Sequence, residues 1–166
     1  MATLQILRYP DPRLHTVAKP VLEVDARIRQ LVDDMLESMY AADGVGLAAT
    51  QVDVHERVIV MDTSDARDDP RVLINPEIVA RSEEMTLADE GCLSVPGLWF
   101  ACERPQYAKV VGTDLDGKQV IVEGEDIWAR LINHEVDHLN GKLYIDRLAK
   151  EERRRAMKEL RAQIEA

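Results

Sequence analysis

An α+β fold is the architecture this sequence predicts, and three observations carry the prediction. Apolar residues recur at helical spacing early and late in the chain. Short strand-like runs lie between those segments, bounded by turn residues. Helices and strands are therefore segregated along the chain and do not alternate as βαβ units. In order, Ile28, Leu31, Val32, Met35, Leu36 and Met39 share one face of a helix over about residues 25–42. Arg57–Asp62 and Val72–Asn75 read as short strands separated by the acidic loop Ser64–Pro70. Tyr107–Thr113 and Gln119–Val122 flank Asp116-Gly117, a hairpin signal. A helix carrying two histidines follows, and a charged terminal helix spans about residues 149–164. The expectation is short, mostly antiparallel strands around a central helix, with one further helix toward each end. At 166 residues one domain, 1–166, suffices, and no repeat, low-complexity run or linker divides it.

Composition excludes several classes of function. A formal net charge of −10 argues against a general nucleic-acid binder, because phosphate contacts need clustered Lys and Arg. No apolar run approaches the roughly 18 to 20 residues of a membrane helix, and the start lacks a basic-then-apolar leader. Two cysteines without framework spacing point to a reducing compartment, hence a cytoplasmic protein. The basic cluster from Lys150 to Arg161 is interleaved with Glu151, Glu152 and Glu159. The plainer reading is a solvated helix with i,i+4 pairs; the functional one is a ribosome contact through this C-terminal helix.

The central helix carries the chemistry. His134-Glu135-Val136-Asp137-His138 places two imidazoles four residues apart, on one helical face, where both can reach the same point. This H-E-x-x-H spacing suits a metal held by nitrogen, with a carboxylate beside it to move protons. Glu123-Gly124-Glu125-Asp126 offers a break and an N-cap, and Asn140-Gly141 a C-cap. Ile127 and Leu131 continue the histidine face, so the histidines belong to a buried stripe, where each needs a partner. Two histidines leave a third ligand to find. Tyr144 occupies the place where a metzincin would have its third histidine. Glu159 lies near the distance of a thermolysin-like third ligand, but in the charged terminal stretch. Cys92, in Glu90-Gly91-Cys92-Leu93-Ser94, follows a glycine at a bend or strand end, and a thiolate binds zinc or ferrous iron well. The bland alternative is a small buried hydrophobe, the class in which Cys102 belongs.

A third segment, Asp43-Gly44-Val45-Gly46-Leu47-Ala48-Ala49-Thr50-Gln51, is small and apolar and ends in one amide. It lacks the third glycine and the frame of a dinucleotide fingerprint. Gly44 and Gly46 allow close backbone approach to a ligand, and Gln51 can donate to an oxyanion. A simple packed loop is the competing reading.

The segments GVGLAATQ, EGCLS and HEVDH, in this order, resemble the three signature motifs of the peptide deformylases. Ile6-Leu7, Tyr9-Pro10-Asp11-Pro12-Arg13-Leu14 and Pro20-Val21 resemble that family's amino terminus, so the likeness spans roughly residues 4–148. The resemblance implies a metal-dependent hydrolase that removes the formyl group from the N-terminal formylmethionine of nascent polypeptides, releasing formate. It implies Cys92, His134 and His138 as metal ligands and Glu135 as acid/base. It also implies that Gln51 and the Leu93 backbone N–H stabilise the oxyanion. Fe²⁺ is the native metal it implies, with zinc, nickel or cobalt as substitutes. For an apolar methionine pocket the candidates are Gly44, Val45, Gly46, Leu93 and Leu131, each of which competes with an ordinary core role. Two positions depart from the family pattern: Asn133 stands where glutamine is common, and Trp99 where several bacterial members carry a basic residue. A general H-E-x-x-H peptidase using Glu159, and a non-catalytic metal-stabilised binding protein, are the rival readings.

Overall fold

Asp25 starts the first helix by accepting a hydrogen bond from the Ile28 N–H at 3.1 Å, and α1 runs Ala26–Ala41. This computed structural model describes residues 2–165, one residue short of the expected span 1–166 at each end. Five strands form one antiparallel sheet: β1 (Gly46–Ala48), β2 (Val58–Met61), β3 (Arg71–Arg81), β6 (Tyr107–Thr113) and β7 (Gln119–Glu125), in the order β1-β2-β3-β6-β7. A separate hairpin pairs β4 (Met85–Cys92) with β5 (Val95–Pro105). Two helices follow, α2 (Ile127–Leu139) and α3 (Lys150–Glu165).

Strand β2 shows how the layers are specified. Its sequence Val58-Ile59-Val60-Met61 is buried at all four positions, as a strand covered on both faces must be. Successive side chains alternate sides. Ile59 and Met61 join the cluster that includes Leu131, Ile132 and Leu139 of α2, while Val58 and Val60 join that of Ile28, Val32 and Met35 of α1. The sheet is thus sandwiched between α1 and α2. A third cluster, with Phe100, Tyr144, Ala156 and Leu160, seals the β4–β5 hairpin against α3.

Several expectations are extended or corrected. β3 runs to Arg81, well past Asn75, and β5 is 11 residues long. The hairpin gave little sequence signal because one of its faces is open: Met85, Leu87, Asp89 and Trp99 are all exposed. β7 continues to Glu125, so Glu123–Glu125 is strand and not a helix-starting break. Asp126 takes the N-cap position of α2 without a side-chain cap, its carboxylate accepting instead from Gln106 Nε2 at 2.8 Å. The other end behaves as expected, with Asn140 at the C-cap and Gly141 at φ 76°. A Cβ on Gly141 would lie 2.6 Å from the His15 carbonyl oxygen. Residues 15–18 strap that end of α2: the Ala18 N–H donates to Leu139 O at 2.8 Å, and His15 Nδ1 lies 3.1 Å from Gly141 O.

Candidate metal centre and catalytic cleft

Helix α2 brings His134 and His138 to its buried face, with their Nε2 atoms 3.3 Å apart. Cys92 ends β4, and its Sγ lies 3.3 Å from His138 Nε2. Donor atoms of Cys92, His134 and His138 all fall within 4.8 Å of one another. Three lone-pair donors pressed this close repel unless a cation lies among them. Two nitrogens each 2.0–2.1 Å from a tetrahedral ion would be about 3.3 Å apart, so the imidazole spacing suits a four-coordinate metal. Glu159 is exposed on α3, outside this group.

Behind His134 lies a buried ionic network. Glu90, two residues before Cys92 on β4, accepts from His134 Nδ1 at 2.7 Å, which aims the opposite nitrogen at the other donors. Arg104 grips the same carboxylate through Nε at 3.1 Å and Nη2 at 2.7 Å, and Arg130 adds a contact at 2.9 Å. Arg104 Nη1 donates onward to Asp137 Oδ2 at 2.7 Å, and Asp137 also accepts from the half-exposed Arg147 at 3.0 Å. Burial alone would raise the Glu90 carboxyl, but hydrogen bonds from His134 and Arg104 overrule it and hold it well below the usual carboxylate range.

The front of the centre is different. Glu135 is buried and its Oε1 has no hydrogen-bond partner among the described residues. Desolvation pushes its carboxyl up to about 7, only partly countered by His134. It faces a cleft of about 540 Å³. Gly44, Val45, Gly46, Gln51, Leu93 and Leu131 all line this cleft, so the expected pocket residues do converge. Two glycines there are required by contact. A Cβ on Gly46 would lie 2.4 Å from Glu135 Oε2, and one on Gly44 would lie 2.6 Å from Leu93 Cδ1. Gln51 is fixed by its Oε1, which accepts from the Ala48 N–H at 3.0 Å, while Nε2 donates to Ser94 Oγ at 3.1 Å and points toward Cys92 Sγ at 3.7 Å.

Other expectations need adjustment. Ile127 does not continue the buried stripe; it is 55% exposed at the cleft mouth. Arg130 also lines the cleft, but its guanidinium is bound to Glu90. Asn133 is buried and returns its amide to the Ala129 carbonyl at 2.7 Å, so it makes a local bond within α2. Glu90, Arg104, Asp137 and Ser94 take orienting roles that no motif of the sequence announces. Glu90 and Cys92 share a strand face by their spacing of two, a legible signal; nothing local marks Arg104.

Comparison with known proteins agrees with this geometry. The family model for polypeptide deformylase matches residues 3–154. A peptide deformylase of Stutzerimonas stutzeri is 54% identical over 160 residues, covering 96% of this chain and 95% of that protein. The crystal structure of a peptide deformylase from Legionella pneumophila superposes with a TM-score of 0.92 at 39% identity, covering 99% of this chain and 96% of that one. One from Ehrlichia chaffeensis, in complex with actinonin, gives 0.90 at 40% identity, with 98% of each chain covered. Cysteine, histidine pair, buried glutamate and cleft thus sit in a scaffold shared almost end to end, and the chain belongs to the polypeptide deformylase family.

Proposed function

We propose that this protein removes the formyl group from N-formylmethionyl peptides, releasing formate, with residues 1–166 acting as one catalytic domain. The observation that carries the reading is the convergence of Cys92, His134 and His138 donors within 4.8 Å, beside a buried glutamate with an unpartnered oxygen. These three residues hold one divalent metal, natively Fe²⁺, with zinc, nickel or cobalt able to substitute. When bound, the metal supplies Lewis acidity toward water and the formyl oxygen.

The chain's own groups do the rest. Glu135, in its desolvated position, takes the proton of the attacking water and returns it to the departing amine. Gln51 Nε2 and the Leu93 N–H stabilise the negative charge that develops on the formyl oxygen. Gln51 is suited to this because its carbonyl end is anchored to Ala48, leaving little freedom to reorganise. Glu90 orients His134 and is a positioning residue. The methionine side chain packs against Gly44, Val45, Gly46, Leu93 and Leu131, an apolar wall that rejects a carboxylate. The substrates are nascent chains in the cytoplasm, met through a ribosome contact of α3.

The test is formate release by anaerobically purified protein, coupled to metal analysis. Formyl-Met-Ala should be turned over and formyl-Asp-Ala should not. Cys92→Ala should lose both metal and activity; unchanged metal content in that variant would redraw the ligand set. Because an Ehrlichia chaffeensis relative is in complex with actinonin, the same compound should suppress formate release here.

A further inference from the structure

Trp99 is 65% exposed, an uneconomical place for a large apolar side chain, and it lines the same cleft as Cys92, Gln51 and Glu135. Its position is fixed by the hairpin. Glu90 pairs with Phe100, which puts Gly91 and Trp99 side by side on the open face of β4–β5. A Cβ on Gly91 would lie within 2.6–2.7 Å of three atoms of the indole ring. The ring therefore rests directly against the backbone one residue before Cys92, and only glycine permits it. With that side held and the rest of the ring open, Trp99 forms a supported aromatic shelf. Ile127 and Val45, 55% and 39% exposed, extend the apolar rim.

Charge at the mouth points the same way. Asp43 and Asp89 line the cleft. Arg130, the cation lining it among the described residues, is already spent on Glu90 at 2.9 Å, Cys102 O at 2.8 Å and Thr86 O at 2.9 Å. Among the described residues no free guanidinium or ammonium lines the mouth to meet an acidic side chain. A substrate whose formyl end reaches the Cys92–His134–His138 group must leave through this mouth. At roughly 3.4 Å per extended residue, the one or two residues after the methionine pass within reach of the indole.

We propose that Trp99 is a specificity-determining residue: it stacks on an aromatic or large aliphatic side chain in one of the two residues after the formylmethionine, while acidic side chains there are disfavoured. The proposal rests on the deformylase reading given above. Aromatic contacts of this kind add roughly three- to tenfold to kcat/KM beyond what the methionine pocket supplies.

The experiment measures kcat/KM by formate release for two peptide series, formyl-Met-X-Ser and formyl-Met-Ala-X, with X as Phe, Leu, Ser or Asp. The metal-loaded wild-type protein should rank Phe and Leu above Ser, and Ser above Asp, in at least one series. In Trp99→Ala the Phe-to-Ser ratio should fall to within about twofold, and Trp99→Phe should restore most of it. Each ratio is taken within one protein, so a general loss of activity cancels. Equal rates for Phe and Ser in both wild-type series, or a preference that survives Trp99→Ala, would overturn the shelf. Those results require turnover of formyl-Met-Ala; absence of any formate from that peptide would instead overturn the deformylase reading and the shelf with it.

Discussion

Glu90 and Glu135 flank the same histidine and are both almost wholly buried, at 4% and 1% exposure. Behind the histidine, Glu90 takes hydrogen bonds from two arginines and His134 and is held ionised. In front, among the described residues no guanidinium bonds Glu135 and one of its oxygens lacks a partner, so burial, only partly countered by His134, raises it to about 7. Two identical side chains thus acquire opposite characters from their surroundings, one a fixed charge and the other a group able to gain and lose a proton near neutrality. What separates them is where the guanidinium groups are bound: Arg104 and Arg130 both pair with Glu90, Arg130 doing so although it lines the cleft, and among the described residues neither pairs with Glu135.

The comparison breaks most severely at Glu90. Glu90→Ala strips Arg130 of its carboxylate partner and leaves the buried Arg104 with Asp137 alone, and should cost about 3–5 kcal/mol in denaturant unfolding. A loss under about 1 kcal/mol would mean that the network is solvated and not a buried anchor. The same carboxyl predicts acid sensitivity. Its folded pKa lies below the ordinary 4.5, so its contribution is fully present above that value and is lost as the pH falls from there through the folded pKa. Glu90→Gln should flatten that portion of the stability profile.

Glu135→Gln keeps the shape and removes the base. The protein should fold and keep about one metal per chain while formate release falls at least ~10²-fold, equivalent to about 2.7 kcal/mol. Full activity at full metal occupancy would sink the assignment, and loss of metal would make Glu135 a ligand. Gly46→Ala is the milder probe of the same side, since its Cβ would press on Glu135 Oε2 and Leu131 Cδ1. Misplacing the glutamate should lower kcat by roughly 10- to 100-fold with the metal retained. Smallest of all should be Arg147→Ala. Arg147 is half exposed and Asp137 keeps Arg104, so the change should cost at most about 1 kcal/mol and leave turnover intact.

Much of this was legible in the sequence, unevenly. The α1 stripe and the i,i+4 histidine pair follow from helical spacing, a local property that α1 and α2 both obey. Cys92 was recoverable because a metal site needs a third donor and glycine-flanked Cys92 sits at a strand end. Arg104 was not, because its meaning depends on a contact to Asp137 at a separation of 33 residues. The β4–β5 hairpin escaped for a different reason: with one face open, Met85, Leu87 and Trp99 interrupt the apolar alternation that marks a half-buried strand. Ile127 misled because periodicity reports which face a residue is on, not whether another element covers that face at its end.

The strap of residues 15–18 over the end of α2 bears on the order in which the molecule can be made. Synthesis delivers the strap first, then Gln51, then Cys92, and the two histidines only after four-fifths of the chain. The strap's partners, Leu139 O and Gly141 O, come later still. From the synthesis of Cys92 until that of His138 the growing chain therefore carries the Cys92 thiol and an unpaired amino-terminal segment, with no assembled centre between them. Competence arrives in one late step, when α2 is complete and seats between the sheet, the hairpin and the strap. Ribosome-bound chains halted before Leu139 should consequently fail to retain metal, whereas chains extended past Leu148 and cleared of the exit tunnel should acquire it.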